Sequence, residues 1–394
     1  MFNIFMTIIE YIFWFSLFLV FYTYIGYGIL LYAMVRLKRF FTKPETINHI
    51  FELPEITLLI AAYNEQDYVE QKVANSLNLN YPKDKIKHIW VTDGSDDNTP
   101  NLLENYAEIK VLHTPERKGK IDAIHRAMSY LNTPIVIFSD ANTMLGKDSI
   151  MKIVEQFQNE RVGCVSGEKR VGSKESDIAA AAGEGLYWKY ESTLKKWDYE
   201  LYSVVGAAGE LFAIRTELYE PLESDTLLDD FMISLKIAMK GYRIAYTPEA
   251  FALESASANV QEELKRKIRI AAGGIQSILR LLPLLNIFKY GVLSFQYISH
   301  RVLRWTITPF LLPIFLVVNI FLLNSNLLYD IFLLLQLVFY IFAIIGWMLE
   351  NRKLKVKAFF VPFYFCVMNY SVIRGIFRYI SKNQSVNWER AKRA

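Results

Sequence analysis

Three acidic stretches each follow a short apolar run: Ala61-Ala62-Tyr63-Asn64-Glu65, Asp93-Gly94-Ser95-Asp96-Asp97 and Asp140-Ala141-Asn142. A single Asp in such a place commonly forms a turn or caps a helix. Three at one rim would instead offer the oxygen ligands that hold a hard divalent cation, Mg or Mn, and through it phosphate oxygens. Arg117, Lys118 and Lys120 add cations suited to a diphosphate. The sequence lacks other ways of gripping a nucleotide. The loop Tyr63-Asn64-Glu65-Gln66 holds no glycine, against the G-x-G-x-x-G of dinucleotide sites, and Gly119-Lys120 is followed by Ile121 rather than the Ser or Thr of a P-loop. There is no G-x-S-x-G, the five histidines are scattered, and Cys164 and Cys366 lack metal or disulfide spacing.

These residues need a frame. Glu55 to Ala62, Ile86 to Thr92, Ile109 to His113 and Pro134 to Ser139 read as strands, alternating with helical patterns at Gln66 to Leu77, Asn98 to Tyr106 and Lys120 to Leu131. Apolar strands alternating with amphipathic helices predict an α/β fold, a mostly parallel sheet covered on both faces. Ligands of such sheets sit beyond the carboxyl ends of the strands, where the acidic stretches lie.

The composition adds a membrane. Of the 394 residues 53% are hydrophobic, above the roughly 45–50% of soluble domains. Uncharged segments run from Tyr11 to Val35, Trp305 to Tyr329, Ile331 to Leu349 and Ala358 to Ile373. The first three reach the roughly 20 residues of a bilayer crossing, while the fourth falls short. A wholly soluble enzyme and a channel built only of spans are both excluded. Arg36, Lys38, Arg39 and Lys43 after the first span, and Arg352, Lys353, Lys355 and Lys357 after the third, predict that the central domain is cytoplasmic, at the plasma (inner) membrane. The segment Ala358 to Ile373 is expected to be re-entrant or interfacial, with a crossing as the alternative. Glu262 to Tyr297 reads as helix along the headgroups, or else as closure of the soluble core. The resulting organisation is an anchor at 1–40, a cytoplasmic domain at 53–285, interfacial and transmembrane helices at 286–378, and a basic tail at 379–394. A net charge of +4 from mixed acids and bases gives no reason to expect a nucleic-acid partner.

In order along residues 53 to 285, these motifs resemble the family 2 glycosyltransferases, in particular the membrane-integrated branch that includes polysaccharide synthases. Ala61-Ala62-Tyr63-Asn64-Glu65 is similar to the family's nucleotide-binding P-A-Y-N-E, Asp93 to its uridine-contacting Asp, Arg117-Lys118-Gly119-Lys120 to its R-x-G-K, and Asp140-Ala141-Asn142 to its D-x-D metal motif. Val205-Gly206-Ala207-Ala208-Gly209 resembles the acceptor loop, and Leu228-Asp229-Asp230 the T-E-D motif. The resemblance implies a glycosyltransferase A-type, Rossmann-like domain with transmembrane helices at both ends. It implies a nucleotide-sugar donor, UDP-linked, held by Ala62, Tyr63, Glu65, Asp93, Lys120 and Asp140. A metal, Mg or Mn, would sit at Asp140 and Asn142. A glycan or lipid-linked acceptor would meet Gly206, Ala207, Asp229 and Arg269. Asp230 would be the general base of an inverting transfer, its carboxyl acid-depressed and hence ionised at neutral pH; Asp229 and Asp230 also suit a helix N-terminus. Two departures stand out: Asn142 replaces the second metal Asp, and Arg266-Lys267-Ile268-Arg269-Ile270 keeps the Arg of Q-x-x-R-W without its Trp. A non-catalytic membrane scaffold or export subunit with a nucleotide-binding shell is the rival reading, and a metal-dependent phosphohydrolase a third.

Overall fold

The computed structural model describes residues 2–42, 51–172, 178–255, 260–352 and 356–382; Lys43, Lys353, Lys355 and most of the basic tail lie outside these. The chain opens with α1 (Phe2–Phe21), which passes through a π-helical turn at Tyr22–Gly26 into α2 (Tyr27–Phe41). The α/β region then runs β1 (Ile56–Ala62), α3 (Gln66–Leu77), β2 (Ile86–Asp93), α4 (Thr99–Glu104), β3 (Ile109–Thr114), α5 (Lys120–Met128), β4 (Ile135–Asp140), β5 (Thr143–Leu145), α6 (Ser149–Gln156), β6 (Val162–Gly172), α7 (Ile178–Leu201), β7 (Leu211–Arg215), α8 (Asp229–Met239) and β8 (Arg243–Ser255). The eight strands form one sheet in the order β3-β2-β1-β4-β7-β6-β8-β5. The first four pair in parallel, and β1 is buried along its whole length, as a strand covered on both faces must be. Beyond β4 the sheet is mixed: β7 runs antiparallel to both β4 and β6, while β6 and β8 pair in parallel. The reversal at β7 matters for the site, because it brings the loop before Leu211 beside the end of β4, with Ser139 opposite Leu211.

After the sheet come α9 (Val260–Arg280), the short helices α10 (Ile287–Tyr290), α11 (Val292–Tyr297) and α12 (Leu303–Trp305), then α13 (Thr308–Phe321), α14 (Leu327–Asn351) and α15 (Lys357–Ile380). Three sequence expectations need correction here. Trp305 to Tyr329 is not one span: α13 is 14 residues long, its partner segment Val292–Trp305 meets it at a 59° bend, and Tyr329 already belongs to α14. Pro309 at the start of α13 removes a backbone donor, and the Asn326 side chain caps α14, so the uncharged run contains both a bend and a turn. Ala358 to Ile373 understates its helix, since α15 extends over 24 residues and is long and apolar enough to cross a bilayer; it begins at Lys357 and continues past Arg374 to Ile380, whereas a count of uncharged residues stops at those two charges. The helix from Glu262 ends at Arg280 rather than continuing to Tyr297, because a 3₁₀ turn at Leu282–Leu285 and Gly291, at φ 53°, interrupt the chain beyond it. Leu281 and Leu284 are buried while Leu279 and Leu282 are exposed, so this segment serves partly as core.

The membrane helices are bolted to the sheet region by buried polar groups. Asp198 of α7 is wholly buried and accepts from Tyr27 Oη of α2 and from Gln296 Nε2 (3.1 Å), and it faces His300 Nδ1 (2.6 Å). His300 Nε2 in turn faces Glu191 (3.1 Å), which Arg301 and Arg304 also grip at 3.0 and 2.9 Å. Burial works against the Glu191 charge, yet His300, Arg301 and Arg304 hold its carboxyl well below the ordinary range. At the end of the same interface Lys38 donates to the carbonyls of Glu200 and Leu201, and Arg39 pairs with the Glu200 carboxylate. Two of the cations that flank the first span are therefore engaged in docking α7. Removing one partner from a buried charge pair typically costs about 3–5 kcal/mol, because the others stay buried without it. Asp198→Ala should therefore lower the melting temperature in detergent by several degrees. Glu55→Ala, which removes only an exposed pair with Lys87, should leave the melting temperature nearly unchanged.

Candidate active site

The carboxyl edge of the parallel strands is knitted together before it meets any ligand. Asn64, in a left-handed conformation at φ 54°, exchanges hydrogen bonds with Asp96. Asp97 accepts from the backbone of Gln66 and Thr99, and Thr99 accepts from Glu65 N. Asp93 is buried, its two carboxylate oxygens accepting from Lys118 N at 2.9 Å and Gly119 N at 2.7 Å. This carboxylate therefore shapes the loop that launches α5 and delivers Lys120. The Arg117 guanidinium lies 3.7 Å above the Tyr63 ring, forming a cationic aromatic wall at the mouth of β1.

Beside this edge is a cavity of about 390 Å³. Its acidic floor collects Asp140 from β4, Glu210 from the loop before β7, and Asp229 and Asp230 from the first turn of α8. Lys120 Nζ is 3.2 Å from both Asp140 and Asp229. Burial weakens the Lys120 ammonium, but Asp140, Asp229 and Asp230 together more than reverse this and raise its pKa. For Asp140 burial dominates and raises the carboxyl, with Lys120 pulling it back. Asp230 departs from the acid-depressed carboxyl that the sequence resemblance implies: burial and then the adjacent Asp229 push it up to about 7, Lys120 only partly opposing them. Crowding of like charges in a dry pocket explains the difference.

Of the residues that the sequence singles out, Glu65, Lys120, Asp140, Asn142, Ala207, Asp229, Asp230 and Arg269 line this cavity. Tyr63 flanks the edge through Arg117, and Ala62 is buried at the end of β1. Asp93 stands behind the Lys118–Gly119 loop rather than in the wall. Gly206, at φ 94°, packs so tightly that a Cβ there would lie 2.3 Å from the Phe231 ring. A Cβ on Gly209 would come within 3.1 Å of Asp230 Oδ2, so the 206–209 loop passes close above that carboxylate.

Several residues escape a sequence reading. Lys72 of α3 is fully buried, donating to Ser139 Oγ (2.7 Å) and Thr143 O (2.6 Å) beneath the Asp140–Thr143 turn; burial pulls it down to about 7 despite Asp140. Lys169 pairs with both Glu210 and Glu254. The Trp lacking from the Arg266–Ile270 stretch has a counterpart in Trp305, which lines the cavity, packs on Phe231 with centroids 5.2 Å apart and has Arg301 over its ring. The motif residues are visible because they fall at strand ends; Lys72 and Trp305 sit within helical patterns that carry no such mark. Met368, Ser371 and Val372 of α15 complete the far wall.

Residues 57–222 match the model of the glycosyl transferase family 2 domain. Poly-beta-1,6-N-acetyl-D-glucosamine synthase of Staphylococcus aureus is 27% identical over 285 residues, 70% of this chain and 67% of the relative; the Staphylococcus epidermidis protein of that name is 25% identical over 61% of each chain. Among solved structures, the mannosyltransferase PcManGT from Pyrobaculum calidifontis, in complex with GDP-Man and Mn2+, superposes with a TM-score of 0.71 at 21% identity, covering 95% of this chain and all of that one. The architecture is thus the glycosyltransferase A-type Rossmann-like fold with candidate membrane spans at both ends.

The raised Asp230 pKa has a stability consequence. Its carboxyl binds a proton more tightly folded, at about 7, than at the ordinary 3.8. The folded state is therefore favoured by this group below about pH 4, and that advantage is lost as pH rises through 7. Asp230→Asn, which cannot ionise, should be more stable than the parent at pH 8, by on the order of 4 kcal/mol, and should melt close to the parent at pH 4. Parallel melting curves at the two pH values check this; an equal shift at both would contradict it.

Proposed function

We propose that this family 2 glycosyltransferase, a membrane-associated enzyme, transfers a sugar with inversion from a nucleotide diphosphate, UDP in our reading, to a hydroxyl of a growing polysaccharide or a lipid-linked acceptor. The observation that carries this is the shared cavity in which Lys120 bridges Asp140 and Asp229 while Asp230 lies beside the Gly209 backbone. The catalytic region would face the cytoplasm, where the nucleotide sugar is made, and α15 in the cavity wall would bring the acceptor from the membrane side.

Donor binding rests on the parallel half of the sheet. Tyr63 backed by Arg117 offers a flat face for a base, Glu65 a carboxylate, and the loop fixed by Asp93 presents Lys120 to the diphosphate. The donor set fits a hard divalent ion: Asp140 and Asn142 supply a carboxylate and an amide oxygen toward the cavity, and phosphate oxygens and water would complete the shell. Asp140 and Asn142 would hold that ion, Mg or Mn, which when bound neutralises charge on the departing diphosphate. Among the described residues no three His, Cys, Asp or Glu side chains gather as a metal cluster.

Asp230 is the general base. At a pKa of about 7 it is close to the ideal for taking a proton at neutral pH, since a much weaker base would give little driving force. It removes the acceptor hydroxyl proton as the oxygen attacks the anomeric carbon and the bond to the diphosphate breaks on the opposite side. One base and one displacement invert the anomeric centre. Lys120, which remains protonated, holds Asp140 and Asp229 and meets the developing negative charge. Trp305 provides the flat apolar surface on which a sugar ring can rest.

The test is turnover of purified protein with a panel of UDP-sugars and Mn, followed by UDP release. Asp230→Asn should lower kcat by about 10²–10⁴ with little change in donor KM. Undiminished turnover would remove Asp230 from its role, and UDP binding without transfer to any acceptor would favour a non-catalytic shell.

A further inference from the structure

Among the described residues, a cation in the cavity wall stands apart from the donor apparatus and from the buried ion pairs. Lys195, on α7 one turn beyond Glu191, is only 8% exposed and borders the cavity. The neighbouring cations are neutralised: Lys169 by Glu210 and Glu254, Arg266 and Lys267 by Glu263, and Arg301 by Glu191. Lys195 differs from them. Among the described residues no side chain or carbonyl accepts a hydrogen bond from its ammonium, and its one polar neighbour is the Tyr246 ring, 5.6 Å from Nζ. The Tyr246 hydroxyl is already committed to Glu168 and Ser192. An ammonium that lines a cavity without an ion-pair partner is suited to receive an anion, with which it can form charge-assisted hydrogen bonds.

Its position separates it from the donor diphosphate. Tyr246 lies in β8, whereas Asp140 ends β4 and Tyr63 follows β1; β7 and β6 intervene between β4 and β8. Lys195 thus borders the acceptor half of the cavity, whose outer wall includes Trp305 and the α15 residues Met368 and Val372. We propose that Lys195 anchors a phosphate group carried by the acceptor, at a subsite distinct from the one that takes the donor. This deepens the reading of the cavity as a glycosyl-transfer site and rests on it. The phosphate takes no part in bond making; it fixes the acceptor so that its hydroxyl reaches Asp230. A lipid phosphate entering past α15 and a soluble phosphorylated glycan present the same group to Lys195.

The experiment uses the full chain in a neutral detergent, saturated with UDP and Mn, titrated calorimetrically with dodecyl phosphate, dodecanol and inorganic phosphate. Wild type should bind dodecyl phosphate and not dodecanol. Lys195→Met, similar in volume but uncharged, should weaken that binding at least tenfold, and Lys195→Arg should retain most of it, while UDP affinity stays the same in all three proteins. A gain from the alkyl chain over inorganic phosphate identifies a lipid source, and equal affinities a soluble one; both support the subsite. Equal binding by Lys195→Met, or no phosphate binding by wild type, overturns it. Failure of UDP to bind, with Lys195-dependent phosphate binding intact, speaks against the donor assignment and leaves this subsite standing.

Discussion

Four carboxylates, from Asp140, Glu210, Asp229 and Asp230, crowd one cavity at the edge of the sheet, and such a cluster can persist only if cations share it. Lys120 supplies the central one, 3.2 Å from two of the four, and Lys169 neutralises Glu210 from the side. The rest of the site depends on placing Lys120 there. Asp93 folds the preceding loop through two backbone N–H groups, Lys72 props the Asp140 turn from below, and α8 presents Asp229 and Asp230 from its N-terminal turn, where the helix dipole favours negative charge. The neutralisation is incomplete: burial, with Asp229 beside it, outweighs the pull of Lys120 and leaves the Asp230 pKa near neutrality.

The same logic extends toward the membrane. A catalytic domain could be tethered by a loose linker, yet here α2 and the bent segment before α13 reach α7 through Asp198, Glu191 and His300, all buried. Because α7 also carries Lys195, and the bent segment carries Trp305 and Arg301, the elements that anchor the chain also line the cavity. Helix α15 packs on α9 closely enough that a side chain on Gly375 would collide with Ala271. The fit of the membrane helices to the domain and the shape of that side of the cavity are therefore one structural problem.

The parallel half of the fold is legible in the sequence because β1, β2 and β4 are buried on both faces and so carry near-continuous apolar runs, each closed by a polar loop. The mixed half is not: β6 and β8 carry Glu168, Lys169, Arg170 and Glu254, whose charges are paired or stacked in three dimensions and break up any apolar run in the sequence. The acids at strand ends are visible by position, but their ionisation is not, since the Asp230 shift arises from burial and from Asp229. A missing Trp near Arg269 suggests a missing sugar platform; Trp305, far along the chain, reaches the cavity because a bend interrupts the helix there, and no local pattern announces that return. Apolar content locates the membrane segments, and it misplaces their ends wherever a turn is uncharged or a helix terminus is basic.

The direct test of this electrostatic arrangement is infrared titration of the unliganded protein, with the Asp230 carboxyl band identified by its loss in Asp230→Asn. The account predicts a protonated band that disappears with a midpoint near pH 7, and a midpoint displaced upward in Lys120→Met, where the ammonium no longer favours ionisation. A midpoint near the ordinary 3.8 in the parent protein, or one indifferent to removal of Lys120, would contradict it.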